Sequence, residues 1–63
     1  MKRMLIVEDD NNLIRGITFA FEKDGFSVMS ANTILDGHKK FEQHHIDIVM
    51  ATSKNLIMAA KFW

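Results

Sequence analysis

Short apolar runs alternate with amphipathic stretches along this 63-residue chain. Residues 4–7 form a continuous apolar run, which is typical of a strand that is covered on both faces. Residues 26–30 and 46–51 predict a second and a third strand. Serines interrupt the second run, which indicates that one of its faces is wetter.

Apolar residues spaced three and four apart predict a helix after the first strand. Asp9 or Asp10 can cap its N-terminus. Gly25 fits the left-handed position just beyond its C-terminus, with Phe26 as the apolar residue that follows. The predicted apolar stripe consists of Leu13, Ile14, Ile17, Ala20 and Phe21.

A second helix is predicted over residues 34–43, with Asn32 or Thr33 as its cap. Its apolar face is weak, because Gly37 and His38 stand where larger side chains would strengthen it, and it holds only Ile34, Leu35 and Phe41. Ser53 can cap a last helix over residues 54–63. Its predicted core contacts are Leu56, Ile57, Ala60 and Phe62.

The resulting order, β-α-β-α-β-α, predicts an α/β fold with a parallel sheet and right-handed crossovers. Ligands in open sheets of this kind bind at the carboxyl ends of the strands. Three acids, Glu8, Asp9 and Asp10, directly follow the first strand. The sequence therefore directs attention to this end of the sheet.

The composition of the chain argues against several classes of partner and location. Eight acidic and eight basic residues balance, which speaks against partners such as nucleic acid or an anionic membrane. The apolar runs are too short for a membrane span or a signal peptide, and there is no cysteine for a disulfide. We expect a cytoplasmic, globular chain that is only marginally stable alone, because so short a fold buries little surface.

Residues 4–50 resemble the N-terminal half of a response-regulator receiver domain from two-component phosphorelay signalling. The resemblance lies in "LIVEDD" on the first strand, "DGF" after the first helix, "V-x-x-A" on the second strand and "DIVM" on the third. It implies half of a three-layer, flavodoxin-like fold with strand order 2-1-3. Receivers accept a phosphoryl group from a histidine kinase on an aspartate.

The resemblance assigns Glu8 and Asp9 to the acidic pair that holds Mg²⁺, with Asp9 as the direct ligand and Asp10 as a helix cap. The alternative is a capped helix whose solvated acids lie beside its positive end. Thr52 stands at the position of the phosphorylated aspartate in "DIVMAT". A threonine hydroxyl is a weak metal ligand and a poor phosphoryl acceptor, so we expect no catalytic residue and no enzyme activity.

The resemblance ends near residue 51, so residues 1–63 are expected to form a truncated receiver-like domain with a divergent tail from residue 51. A frameshift or a fusion could have supplied that tail, in a natural or an engineered chain. The histidines His38, His44 and His45 are interpreted as surface residues rather than metal ligands. The five methionines are interpreted as core filler.

The third strand is expected to be an open, apolar edge, and such an edge pairs with another chain unless it is blocked. We therefore expect a homodimer or a larger assembly. An alternative function is a non-enzymatic self-association module, and another is an inhibitor that pairs with a full receiver. Phe62 and Trp63 either anchor an interface or cover the last open face. The predicted interface residues are Ile46, Ile48, Met50, Phe62 and Trp63.

Overall fold

The computed structural model describes residues 1–51, and these residues form a three-stranded sheet with two helices. The predicted α/β class is confirmed. The predicted helix over residues 54–63 and its cap Ser53 lie outside the described residues. In chain order the elements are β1 (Arg3–Val7), α1 (Asn11–Lys23), β2 (Ser27–Ala31), α2 (Ile34–Gln43) and β3 (Ile48–Ala51).

The sheet is parallel, and its strand order is β2-β1-β3, as predicted. Leu5 of the central strand pairs with Met29 on one side and with Val49 on the other. β2 lies one residue later than predicted. β3 begins two residues later than predicted, because Ile46 lies before the strand and packs against the core instead.

The central strand β1 is buried on both faces. Met4 and Ile6 pack with Ile14 of α1, whereas Leu5 and Val7 pack on the opposite face. Ile34 of α2 joins this second cluster, so the two helices cover opposite faces. This arrangement follows from the two right-handed crossovers. The chain moves from β1 to β2 on one side and then from β2 back past β1 to β3, so the two connecting helices lie on opposite faces of the sheet.

Both ends of α1 follow the predicted local chemistry. Asp10 is the N-cap, and its side chain accepts from the backbone N–H groups two and three residues ahead, at 2.9 and 3.3 Å. Gly25 has a φ of 92°, and its N–H donates to the Glu22 carbonyl at 3.1 Å. The Phe26 N–H donates to the Phe21 carbonyl at 3.1 Å, and the two rings meet edge to face. This is the Schellman arrangement, in which glycine avoids the steric penalty of positive φ.

The apolar stripe of α1 is narrower than predicted. Leu13 is 44% exposed and Ala20 is also exposed, whereas Ile14, Ile17 and Phe21 face the sheet. The prediction for Leu13 and Ala20 is therefore wrong. A helix that packs on a sheet this small meets it along a thin strip, so the edges of its apolar stripe remain in water.

The glycine that weakens the predicted apolar face of α2 is a point where this helix packs closely against the sheet. Gly37 is buried, and a Cβ built there would lie 2.9 Å from Val7 Cγ2. A larger side chain at this position would push the helix away from the sheet. The expectation that a larger residue than Gly37 would strengthen the apolar face is therefore wrong. Leu35, a predicted core residue, is 69% exposed. The helix begins after Thr33, whose hydroxyl accepts from the Asp36 N–H at 3.1 Å.

The close approach at Gly37 gives a matched pair of substitutions. Gly16→Ala should stabilise the fold by about 1 kcal/mol, because a Cβ there meets nothing within 4 Å and alanine favours the helix. Gly37→Ala gains the same helix propensity but overpacks against Val7, so it should be less stable than Gly16→Ala by about 1–3 kcal/mol. Urea unfolding followed by circular dichroism measures both. Equal stability of the two variants would contradict the close packing.

Candidate functional site

The candidate site is the edge of the sheet where β1 and β2 end. The Glu8 N–H donates to the Ala31 carbonyl at 2.9 Å, which carries the sheet pairing one residue past β1. The Asn32 side-chain amide donates to the Glu8 carbonyl at 3.2 Å and to Asn11 Oδ1 at 2.9 Å. Asn32 therefore ties the ends of both strands to the start of α1, which the sequence alone did not indicate.

The three acids at this edge occupy three different environments. Glu8 is only 1% exposed, and its Oε2 accepts from the Asp10 N–H at 3.0 Å. Asp10 caps α1 through its own carboxylate. Asp9 lies exposed between them. The backbone thus uses the carboxylates of Glu8 and Asp10, whereas the Asp9 carboxylate faces solvent.

A divalent cation at this edge would have few protein ligands. Within residues 1–51 there is no group of three or more histidine, cysteine, aspartate or glutamate side chains placed to hold a metal. Glu8 and Asp9 could supply two carboxylates, which suits an ion such as Mg²⁺ that keeps several waters. Thr52, at the expected acceptor position, lies outside the described residues. The metal pair Glu8 and Asp9 stays a prediction.

The three histidines lie apart from this edge. His38 Nε2 is 3.0 Å from Glu42 Oε2, one turn along α2. His45 Nε2 is 3.2 Å from Asp47 Oδ1. His44 is exposed at the C-cap of α2. Within residues 1–51, these histidines belong to no group of three or more side chains that could hold a metal.

The structure describes three of the predicted interface residues, Ile46, Ile48 and Met50, and they do not all lie on one face of the sheet. Ile48 is 38% exposed on β3, and Met50 is half-buried in the cluster on the α1 side. Ile46 packs into the cluster on the α2 side. Phe62 and Trp63 lie outside the described residues. The apolar character predicted for the outer strand is therefore present, but Ile46 contributes to the core of the opposite face.

Asp47 joins the starts of β1 and β3, a role that the sequence reasoning missed. Its N–H donates to the Arg3 carbonyl at 2.9 Å, and its Oδ2 accepts from the Arg3 N–H at 2.9 Å. The backbone hydrogen bond from Arg3 is the main cause that lowers the pKa of the Asp47 carboxyl. Desolvation opposes it, and the nearby His45 and Lys2 lower the pKa further. An acid directly before an apolar strand was the available signal.

No protein-family model, curated protein or solved structure matches this chain. Neither α1 nor α2, the helices that the structure describes, is long and apolar enough to cross a membrane. Any function assigned to the chain therefore rests on its own residues and on the sheet edges that they occupy.

The depressed pKa of Asp47 predicts a pH dependence of stability. A carboxyl whose pKa is lower in the folded state stabilises the fold above its unfolded-state pKa, and this contribution disappears as the pH falls through the folded-state pKa. Asp47→Asn should therefore be less stable than wild type at pH 7, and the gap should shrink as the solution is acidified below the ordinary aspartate range. Urea unfolding at several pH values measures the gap.

Asp24→Asn is a suitable control for this experiment, because Asp24 is exposed at the C-terminus of α1. It removes the same charge without touching the junction of β1 and β3. A gap for Asp47→Asn that stays constant from neutral to acidic pH would refute the role of the ionised carboxylate.

Proposed function

We propose that this chain is a receiver-like module of two-component phosphorelay origin that no longer accepts a phosphoryl group. The observation that carries the proposal is the position of the acids. Glu8, Asp9 and Asp10 directly follow the central strand of a parallel sheet with order β2-β1-β3, at the edge where this topology places ligands. The motifs of residues 4–50 support the finer assignment to half of a flavodoxin-like fold.

The geometry gives each of the three acids a different role. Glu8 is buried and holds the Asp10 N–H, so it fixes the turn that leads into α1. Asp10 caps the helix. Asp9 is exposed, which suits direct contact with a hydrated ion. When bound, Mg²⁺ supplies positive charge that screens a phosphoryl group from the carboxylates around it.

The residue at the acceptor position is the reason to expect that this chain lacks the phosphoryl-accepting activity of the parent family. Thr52 follows β3 in the motif "DIVMAT", where the family carries the aspartate that attacks phosphorus. A neutral hydroxyl with no base beside it in the motif is a poor nucleophile. We therefore propose that histidine kinases serve the parent family, while this chain is a cytoplasmic, non-enzymatic relative with weak affinity for Mg²⁺.

Charge-matched variants test the metal assignment. Asp9→Asn should weaken Mg²⁺ binding by about tenfold, because it removes the exposed ligand. Asp10→Asn removes the same charge but leaves a good N-cap, so it should change the affinity little. Thr52→Asp should tighten binding by about tenfold, because it restores a third carboxylate. Isothermal titration calorimetry with MgCl₂ measures all four proteins.

The same proteins also test phosphoryl transfer. Incubation of the wild-type chain with a small-molecule phosphodonor and Mg²⁺ should leave its intact mass unchanged. An acid-labile gain of one phosphoryl group on the wild-type chain would overturn the claim that it cannot accept phosphate.

In the calorimetry experiment, equal Mg²⁺ affinity of Asp9→Asn and Asp10→Asn would remove Asp9 from the proposed site.

A second candidate function is self-association through β3. Ile48 is 38% exposed at the border of the sheet, and the four residues of β3 carry no charge. Val49 and Met50 remain half-buried on the two faces of the strand. An apolar border strand of this kind favours pairing with a second copy of the chain.

Light scattering at micromolar concentration tests this candidate. The wild-type chain should have the mass of two copies, and Ile48→Lys should reduce it to one, because a lysine on an edge strand opposes pairing. Leu35→Lys is the control, since Leu35 is an even more exposed apolar residue but lies on α2. If Leu35→Lys dissociates the assembly as well as Ile48→Lys does, the interface is not β3.

A further inference from the structure

Within residues 1–51, the two borders of the sheet differ in whether a charged side chain contacts their outward backbone groups. Ser27 and Ala31 at the two ends of β2 hydrogen-bond towards β1, at 2.8 and 2.9 Å. Because backbone groups of successive residues alternate between the two sides of a strand, Val28 and Ser30 direct their N–H and C=O groups away from the sheet. These outward groups form the template on which another strand could pair.

A lysine covers this template on β2. Lys40 of α2 reaches across the border, and its Nζ donates to the outward carbonyl of Ser30. Asp36 Oδ2, one turn earlier on α2, lies 3.3 Å from the same Nζ and holds it in place. An incoming strand would have to displace the ammonium group from Ser30 and separate it from Asp36. Charged lysines at a sheet border are a known means of preventing strand addition.

The border formed by β3 has no such cover among the residues that the structure describes. Asp47 donates its N–H to β1 at 2.9 Å, so Val49 shares its direction, and Ile48 and Met50 direct their backbone groups outward. Within residues 1–51, no lysine or arginine side chain donates to these two residues. Among residues 1–51, a charged side chain therefore covers the border at β2, and none covers the border at β3.

We propose that Lys40 blocks strand addition at β2 and so confines the self-association of this chain to β3, with a second copy as the partner. This inference rests on the self-association proposed above. A molecule with one open border forms a closed two-fold pair, whereas two open borders would allow open-ended growth of the sheet. Lys40 thus determines the size of the assembly rather than its affinity.

The side chains of β3 suit a two-fold pairing with a second copy. An antiparallel arrangement centred on Val49 places Ile48 opposite Met50 of the second copy, so the outward-facing residues of both strands meet. The same register places Asp47 opposite Ala51 of the second copy. The two identical acids are thereby kept apart, which avoids the repulsion of like charges directly opposite each other.

The test compares neighbouring lysines on α2. Lys39→Ala removes an exposed charge that lies beside Lys40 but touches neither Ser30 nor Asp36 in the contacts described. Wild type, Lys39→Ala and Lys40→Arg should all have the mass of two copies in light scattering. Lys40→Ala should exceed the mass of Lys39→Ala by about twofold or more, and the excess should rise with concentration.

The outcomes separate the inference from the function on which it rests. Equal masses of Lys40→Ala and Lys39→Ala would overturn the role of Lys40. A monomeric wild-type chain would refute self-association through β3, and in that case a Lys40→Ala chain that dimerises would still support the block at β2. If circular dichroism shows that Lys40→Ala has lost its helices, Lys40→Met keeps the aliphatic stem without the donor. Lys40→Met should grow in the same way, and an unchanged mass would overturn the proposal.

Discussion

The complete burial of four successive residues of β1 is the constraint on which the other elements depend. Its residues Met4, Leu5, Ile6 and Val7 are each at most 1% exposed, and each contributes on the order of 2 kcal/mol by leaving water. A strand can be buried on both faces only if a helix covers each of them. Gly37 meets this demand on the α2 side, because the absence of a side chain lets the helix backbone approach Val7. The core of this small chain is therefore organised around one strand and one close contact.

The burial of β1 also determines the chemistry at its end. Glu8 continues the buried strand, so its carboxylate cannot remain without partners in so dry a place. The N–H of Asp10 supplies a hydrogen bond, and this bond shapes the turn that presents Asp10 to the start of α1. Three adjacent acids can coexist because two of them serve the backbone. The exposed Asp9 is the residue left for direct contact with an ion, because the carboxylates of Glu8 and Asp10 accept hydrogen bonds from backbone N–H groups.

Local signals predicted much of this fold, and contacts between distant residues account for what they missed. The apolar run of β1, the cap at Asp10 and the positive φ of Gly25 all depend on a few neighbouring residues, so the sequence contains them directly. Gly37 appeared as a defect because its neighbour Val7 lies thirty positions earlier in the chain. The contact of Lys40 with Ser30 joins two different elements, so no local pattern predicts it. The acid before β3 was a local sign of a role for Asp47, but nothing local identified Arg3 as its partner.

The unequal borders of the sheet connect the fold to its proposed association. α2 packs against both β1 and β2, so it can carry Lys40 to the outer side of β2. β3 is held by its pairing with β1 and by the bonds between Asp47 and Arg3, while Ile48 remains partly in water. A partner that binds only the folded state adds its binding free energy to the stability of the fold. Pairing at β3 would thus stabilise the strand that the described helices secure least, so association and folding of this chain are expected to be coupled.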